Sequence, residues 1–219
     1  EDWVSRSVAY APECSKKVVD KSIELLEEKR AISNVPHKII AVACGIEHAE
    51  QIKEMYESRK YKAAVVHSDI DEKEKNAVFK DIENHRVDVV VNVNMLGEGY
   101  DHPYLSIAAI FRPFRSQLPY AQFIGRILRT IPKDEVQSAS DNTGVIISHK
   151  HLYLDELWKY YKVQIQESEI IKYLKEQEYE MALDLDRDYD CESTYKQDRT
   201  IGLATEIGNG ELFTDTYLT

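Results

Sequence analysis

Two short stretches hold the side chains best suited to chemistry. "NVNMLGEGYDHP", Asn92 to Pro103, follows a run of valines and sets Gly97 and Gly99 on either side of Glu98, with Asp101 just beyond. "QFIGRILR", Gln122 to Arg129, places Gln122, Gly125, Arg126 and Arg129 close together some twenty residues later. Glycines let backbone come close to a ligand, and an aspartate such as Asp101 can accept hydrogen bonds from a sugar hydroxyl. Arginines three apart on a helix share a face, so Arg126 and Arg129 can point together at one polyanion and grip phosphate oxygens through their forked N–H groups. Gln122, one turn earlier, can orient a water or a phosphate. Singly, each feature has a plainer reading: GxG turns are common, and paired helical arginines usually form a solvated face.

Other chemistries are excluded or disfavoured. No glycine is followed by lysine, so the chain has no Walker A phosphate loop, and the Asp-Glu pairs at Asp71, Asp134 and Asp155 do not continue into a DEAD- or DEAH-like tetrapeptide. The chain alone is therefore not a complete P-loop ATPase. Cys14, Cys44 and Cys191 fit no metal-ligand spacing and read as reduced thiols. His149 and His151 lack a cysteine or carboxylate partner at ligand spacing, which favours an exposed strand end over zinc, and no metal site is expected. A small-molecule enzyme on a doubly wound sheet is disfavoured by the lack of a GxGxxG turn after the first strand and of a Cys-His or Ser-His arrangement at a strand end.

The elements that must carry these residues alternate. "KIIAVAC", "YKAAVVHS", "RVDVVVNV", "LSIAAIFRP" and "TGVIISH" read as buried strands; "GIEHAEQIKEMYESR", "DEKEKNAVFKDIENH" and "LPYAQFIGRILRTI" between them read as helices, the last despite Gly125. That order predicts an α/β fold, a parallel sheet with helices on both faces, and ligands at the carboxyl ends of the strands. A lead-in helix is expected from Pro12 to Arg30, and a longer helix from about Leu154 to Leu183. Beyond Asp184 the pattern dissolves into acidic, irregular sequence, with a short hairpin expected around Gly208 to Gly210. The expected organisation is a lead-in segment (1–31), an α/β domain (32–150) and a helical, acidic C-terminal appendage (151–219). The start at Glu1 without a methionine suggests a piece of a longer polypeptide.

Charge is unevenly distributed. The formal net charge is −11; residues 134–219 hold 19 acidic and 8 basic side chains, while residues 1–133 hold 20 of each. The acidic excess thus lies wholly from Asp134 onward, and the neutral part before it can still bind phosphate locally. With no apolar run long enough for a membrane helix and no basic, apolar leader at the start, the expected location is cytoplasmic.

In this order and spacing, "LGEGYDHPYLSIAAIFRPFRSQLPYAQFIGRILR" resembles motifs V and VI of a superfamily-two helicase, with the QxxGRxxR pattern filled by Gln122, Gly125, Arg126 and Arg129. "KIIAVACGIEHAEQI" resembles motif IV, and "VVHSD" the segment that follows it. The resemblance covers about Lys38 to Ser148 and is similar to the branch holding RadD-like proteins and the motor subunits of type I and type III restriction enzymes. That branch usually reads LTEGFDxP in motif V, so Gly97 replaces a threonine and Tyr100 a phenylalanine.

The resemblance implies a RecA-like second domain of the P-loop NTPase helicase kind, closing over ATP and Mg²⁺ held mainly by an N-terminal RecA-like domain of the same polypeptide. Arg129 then stands as the arginine finger, with Arg126 its partner and Gln122 the phosphate or water sensor. Gly97, Glu98, Gly99 and Asp101 would face the nucleotide. Nucleic acid, DNA rather than RNA and with little sequence preference, would cross the other edge of the sheet. It would meet Gly45, Ile46 and Glu47 at a helix start, His67 and Ser68 after the second strand, and Asn94 and Met95 in motif V. For His67 a strand-end histidine without function is an equal reading. Arg112 and Arg115 either solvate a loop or touch nucleic acid or the neighbouring domain, whereas Trp158, Tyr160 and Tyr161 read as packing of the appended helix. The alternative for the whole is a helicase-like scaffold without motor activity. Repair, restriction and phage defence all fit such a motor.

Overall fold

A computed structural model describes residues 2–93, 102–129, 131–168, 172 and 214–217. Two helices lead in: α1, Asp2–Tyr10, and α2, Pro12–Ile32. Pro12 stands in the first turn of α2, where its missing N–H costs no helical hydrogen bond. The periodic pattern expected from Pro12 to Arg30 is therefore α2, and α1 is an additional helix whose short stretch "DWVSRSVAY" gave too few turns to read.

Then strands and helices alternate: β1 Lys38–Val42, α3 Ile46–Glu57, β2 Ala63–His67, α4 Glu72–Glu83, β3 Val89–Val93, β4 Leu105–Ile110, α5 Gln117–Ile124 and β5 Val145–His149. Every residue of β1, β3, β4 and β5 is buried, as continuous apolar runs covered on both faces must be. The order across the sheet is β2-β3-β1-β4-β5, all parallel, with β6, Thr214–Tyr217, pairing parallel to β5. That strand replaces part of the expected hairpin; its glycines, Gly208 to Gly210, lie outside the described residues. Of the long helix expected from Leu154 to Leu183, residues 155–168 are helical and most of the remainder lies outside the described residues.

Alternation along each strand divides the core. On one face Ile40, Val42, Val90, Ala108, Ile110 and Ile146 pack against Ile82 of α4, against Tyr120, Phe123 and Ile124 of α5, and against Trp158. On the other, Ile39, Ala41, Val89, Val91, Ile107 and Ile147 meet Val18, Val19 and Leu26 of α2 and Ala49, Ile52 and Tyr56 of α3. Strands β3 and β4, on either side of motif V in the sequence, flank the central β1. No helix among the described residues is long and apolar enough to cross a membrane.

Candidate nucleotide and nucleic-acid sites

The carboxyl edge of the sheet gathers the residues read as backbone-binding. Gly45 to Glu47 follow β1 and His67 and Ser68 close β2, while β3 between them ends at Val93, just before Asn94 and Met95. Strand order β2-β3-β1 thus sets the three strand ends in one row. Asn94 and Met95 themselves, like Gly97, Glu98, Gly99 and Asp101, lie outside the described residues.

The β1 to α3 turn is organised from within. His48, buried in the first turn of α3, accepts a hydrogen bond at Nδ1 from the Cys44 N–H at 3.3 Å, and its ring lies 5.1 Å from Tyr10 and 6.4 Å from Phe111. Burial lowers the His48 pKa, keeping the ring neutral and able to accept. Gly45, the N-cap of α3, offers no side chain to the first-turn N–H groups, and nothing stands within 4 Å of where its Cβ would be. These N–H groups and the helix dipole favour an anion, although Glu47 places a carboxylate beside them. On β2, His67 Nδ1 accepts the Asp69 N–H at 3.2 Å, which shapes the turn that exposes Ser68. Arg112 lies over the Phe114 ring at 5.4 Å, and Phe114 packs on Tyr120 and Phe123, so this aromatic stretch helps seat α5.

The arginine pair sits elsewhere. α5 starts beyond the carboxyl end of β4 and runs back along the sheet, and the helix expected through Ile131 stops at Ile124. Past Gly125 the N–H groups of Arg126 and Ile127 reach back only three residues, to Phe123 and Ile124, at 3.2 and 3.0 Å. This tighter winding keeps Ile127 in the core while leaving Gln122 and Arg129 exposed and Arg126 half-buried. Ile131 then donates its N–H to Asn142 Oδ1 at 3.0 Å, just ahead of β5. The chain past α5, which carries Arg126 and Arg129, therefore runs toward the amino edge of the sheet, where it meets the residues ahead of β5.

A buried polar network holds that amino edge. The Asp141 carboxylate, fully enclosed, accepts from Ser33 Oγ at 2.5 Å, from His37 Nε2 at 3.1 Å and from the Gln137 and Ser138 N–H groups at 2.8 Å each. Burial pushes its pKa up, but these hydrogen bonds outweigh burial and hold it at about 2. His37 is pushed down by burial, so it serves Asp141 as a neutral donor. Lys29 Nζ donates to the Ser140 carbonyl at 2.5 Å, and burial lowers its pKa to about 8. Arg30 binds the His37 carbonyl and pairs with Asp88 at 2.9 Å, and Asp88 accepts the Lys62 N–H, stitching the starts of β1, β3 and β2 together. Past motif V, His102 Nδ1 accepts the Tyr104 N–H at 3.2 Å and Tyr104 Oη donates to Glu135; burial, with Lys38 and His85 nearby, lowers the His102 pKa to about 4.

None of Asp141, Asn142 and Gly144 stood out in the sequence. "SDN" falls ahead of the strand read as "TGVIISH", and only the capping-box pairing of Ser138 with Asp141 left a local signal there.

The family model described as the helicase conserved C-terminal domain matches residues 18–130, from within α2 through motif VI. The chain belongs to that family. This helicase C-terminal domain is the second RecA-like domain of a superfamily-two helicase, with a parallel sheet of the order just given. The chain is similar to UvrABC system protein B of Enterobacter sp. (strain 638), 32% identical over 113 residues, covering 49% of this chain and 17% of that protein. It is similar also to UvrABC system protein B of Thermodesulfovibrio yellowstonii, 33% identical over 113 residues with the same coverage. The matched stretch thus spans 17% of the length of these relatives. Among solved structures it is similar to the Pyrococcus furiosus Hef helicase domain, with a TM-score of 0.43, 20% identity, and coverage of 60% of this chain and 26% of that one. The C-terminal domain of the DEAD-box protein Dbp5 gives a TM-score of 0.45 and 22% identity, covering 65% of this chain and 79% of that domain.

Proposed function

We propose that this helicase C-terminal domain is one half of an ATP-dependent nucleic-acid motor acting on DNA. It supplies Arg129 as arginine finger to a nucleotide held by an N-terminal RecA-like domain of the same polypeptide. The observation that carries this reading is the membership of a helicase domain family over a stretch that includes Gln122, Arg126 and Arg129, the first and last of them exposed at the winding end of α5. The chain's own residues offer donors suited to phosphate oxygens, and without a phosphate loop they must share the nucleotide. DNA is favoured over RNA by the resemblance of motifs V and VI to RadD-like proteins and restriction-enzyme motors.

In this reading ATP and Mg²⁺ are bound mainly by the partner domain. Guanidinium groups of Arg129 and Arg126 then approach the γ-phosphate, Gln122 orients phosphate or water, and Gly97 to Asp101 face ribose and phosphates. Preplaced cations stabilise the charge that develops on the transferring phosphoryl group without reorganising at the moment of reaction. Domain closure on ATP and reopening after hydrolysis alternate the grip on the strand lying over Gly45 to Glu47, His67, Ser68, Asn94 and Met95.

The test is DNA-stimulated ATP turnover by the full-length protein. Arg129→Ala should lower turnover by about 10³-fold or more with nucleotide affinity largely kept, and Arg129→Lys should restore little, because ammonium lacks the fork. Arg86→Ala, removing an exposed surface arginine paired with Asp81, should change turnover by less than about twofold. Arg129→Ala retaining more than about a tenth of wild-type turnover overturns the finger assignment.

A further inference from the structure

We infer that Asn142 and Gly144 are positioning residues for the arginine-bearing turn, fixing the backbone on both sides of Arg129; this rests on the finger reading above. Downstream of Arg129, the Ile131 N–H is held by Asn142 Oδ1 at 3.0 Å. Upstream, residues 127 and 128 lie against Gly144 so closely that a Cβ there would stand 3.1 Å from the Ile127 carbonyl oxygen and 3.2 Å from Ile127 Cδ1 and Leu128 Cδ2. Lack of a side chain at residue 144 is what permits this approach. Ile127 and Ile131 are buried, whereas Arg129 between them is exposed. The chain is thus held on both flanks of an exposed Arg129.

The clamp is anchored in turn. Asn142 ends the 3₁₀ turn Ala139–Asn142, and its neighbour Asp141 is the acceptor for Ser33, His37 and two backbone N–H groups, while Lys29 holds the Ser140 carbonyl. A contiguous path therefore runs from the end of α2, through Asp141 and Asn142, to the backbone beside Arg129. Such anchoring matters for a group that must meet a transferring phosphoryl oxygen, because a displacement of about 1 Å can cost about 10²-fold in rate. A surface arginine that only solvates the domain has no need of it.

The experiment measures DNA-stimulated ATP hydrolysis by the full-length protein in Asn142→Ala, Asn142→Asp, Gly144→Ala, Arg129→Ala and the Asn142→Ala/Arg129→Ala double variant. Asn142→Ala should lower kcat by about tenfold or more with KM for ATP within about twofold, since the residue acts on the finger and not on ground-state binding. Asn142→Asp, which keeps an acceptor oxygen, should recover most of the loss. Gly144→Ala, which retains Asn142 and crowds the turn from its other flank, should also lower kcat, and it keeps the test open should Asn142→Ala fail to fold. In the Arg129→Ala background Asn142→Ala should add less than about a twofold loss, because the group it positions is gone. Near-wild-type kcat in both Asn142→Ala and Gly144→Ala overturns the inference, as does equal loss in Asn142→Ala and Asn142→Asp, or a full further loss in the double variant. If Arg129→Ala itself keeps its turnover, the finger reading fails and the inference falls with it; a dead Arg129→Ala beside active Asn142 and Gly144 variants sinks the inference alone.

Discussion

The two edges of the sheet are built on opposite plans. At the amino edge, polar groups are buried or half-buried and densely bonded: Asp141 accepts four hydrogen bonds, Arg30 bridges the His37 carbonyl to Asp88, and Tyr104 reaches Glu135. At the carboxyl edge, α3 and α5 start without a side-chain cap, Gly45 fronts open space, and Ile46, Glu47 and Ser68 are exposed. In the proposed reading, the contrast separates two kinds of ligand. A nucleic-acid strand is read through repeated phosphates and tolerates an open edge of backbone donors. A single phosphoryl group needs a cation fixed in place, and the winding of α5 carries Arg126 and Arg129 toward the rigid edge.

The comparison breaks first if the amino edge is not structural. Asp141→Ala strands the donors of Ser33, His37, Gln137 and Ser138 and should cost about 3 kcal/mol or more of stability, read from denaturant unfolding. A loss below about 1 kcal/mol would show the network to be ornamental. The pH dependence sharpens the point. Because the folded carboxyl of Asp141 is held at about 2 against 3.8 unfolded, its stabilisation is complete above about pH 4 and disappears as pH falls toward 2. The amount is on the order of 2 kcal/mol, and unfolding curves of Asp141→Asn should lack that segment of acid sensitivity.

The carboxyl edge should respond in the opposite sense. Gly45→Asp supplies the missing cap to α3, so stability should change by no more than about 0.5 kcal/mol. On the proposed path of the nucleic acid its carboxylate repels phosphates, and affinity for a single-stranded DNA oligonucleotide should drop several-fold at low salt, with the gap narrowing as salt rises. Unchanged affinity would remove α3 from the path. The smallest effect is expected from deleting the residues after Asp184: shedding acidic chain should raise single-strand affinity about two- to threefold at low salt and hardly at all at high salt. No gain at low salt would exclude an inhibitory role for the appendage.

Much of the fold was legible because its signals are local. Fully buried parallel strands must be continuous apolar runs, and "KIIAV", "VVVNV" and "LSIAAI" are such runs, so five strands and the alternating helices could be read directly. The grouping of Gln122, Arg126 and Arg129 came from their spacing together with the resemblance to motif VI, within the stretch that the family model matches. The change of winding at Gly125 was not, since Phe123, Ile124, Ile127 and Ile131 fit an unbroken helical pattern equally well. Nor was the clamp: Ser33 and Asp141 lie 108 residues apart, and only tertiary packing makes a loop aspartate the anchor of the amino edge.

One titration tests the division of labour directly: ATP turnover by the full-length protein against increasing single-stranded DNA, for wild type, Arg129→Ala and Gly45→Asp. Its plateau reports the rigid edge and its midpoint the open one. Arg129→Ala should lower the plateau about 10³-fold or more and leave the midpoint within about threefold, while Gly45→Asp should shift the midpoint several-fold to higher DNA and leave the plateau unchanged. If both variants move the same parameter, or Arg129→Ala holds more than about a tenth of the wild-type plateau, the two edges do not divide the work in this way.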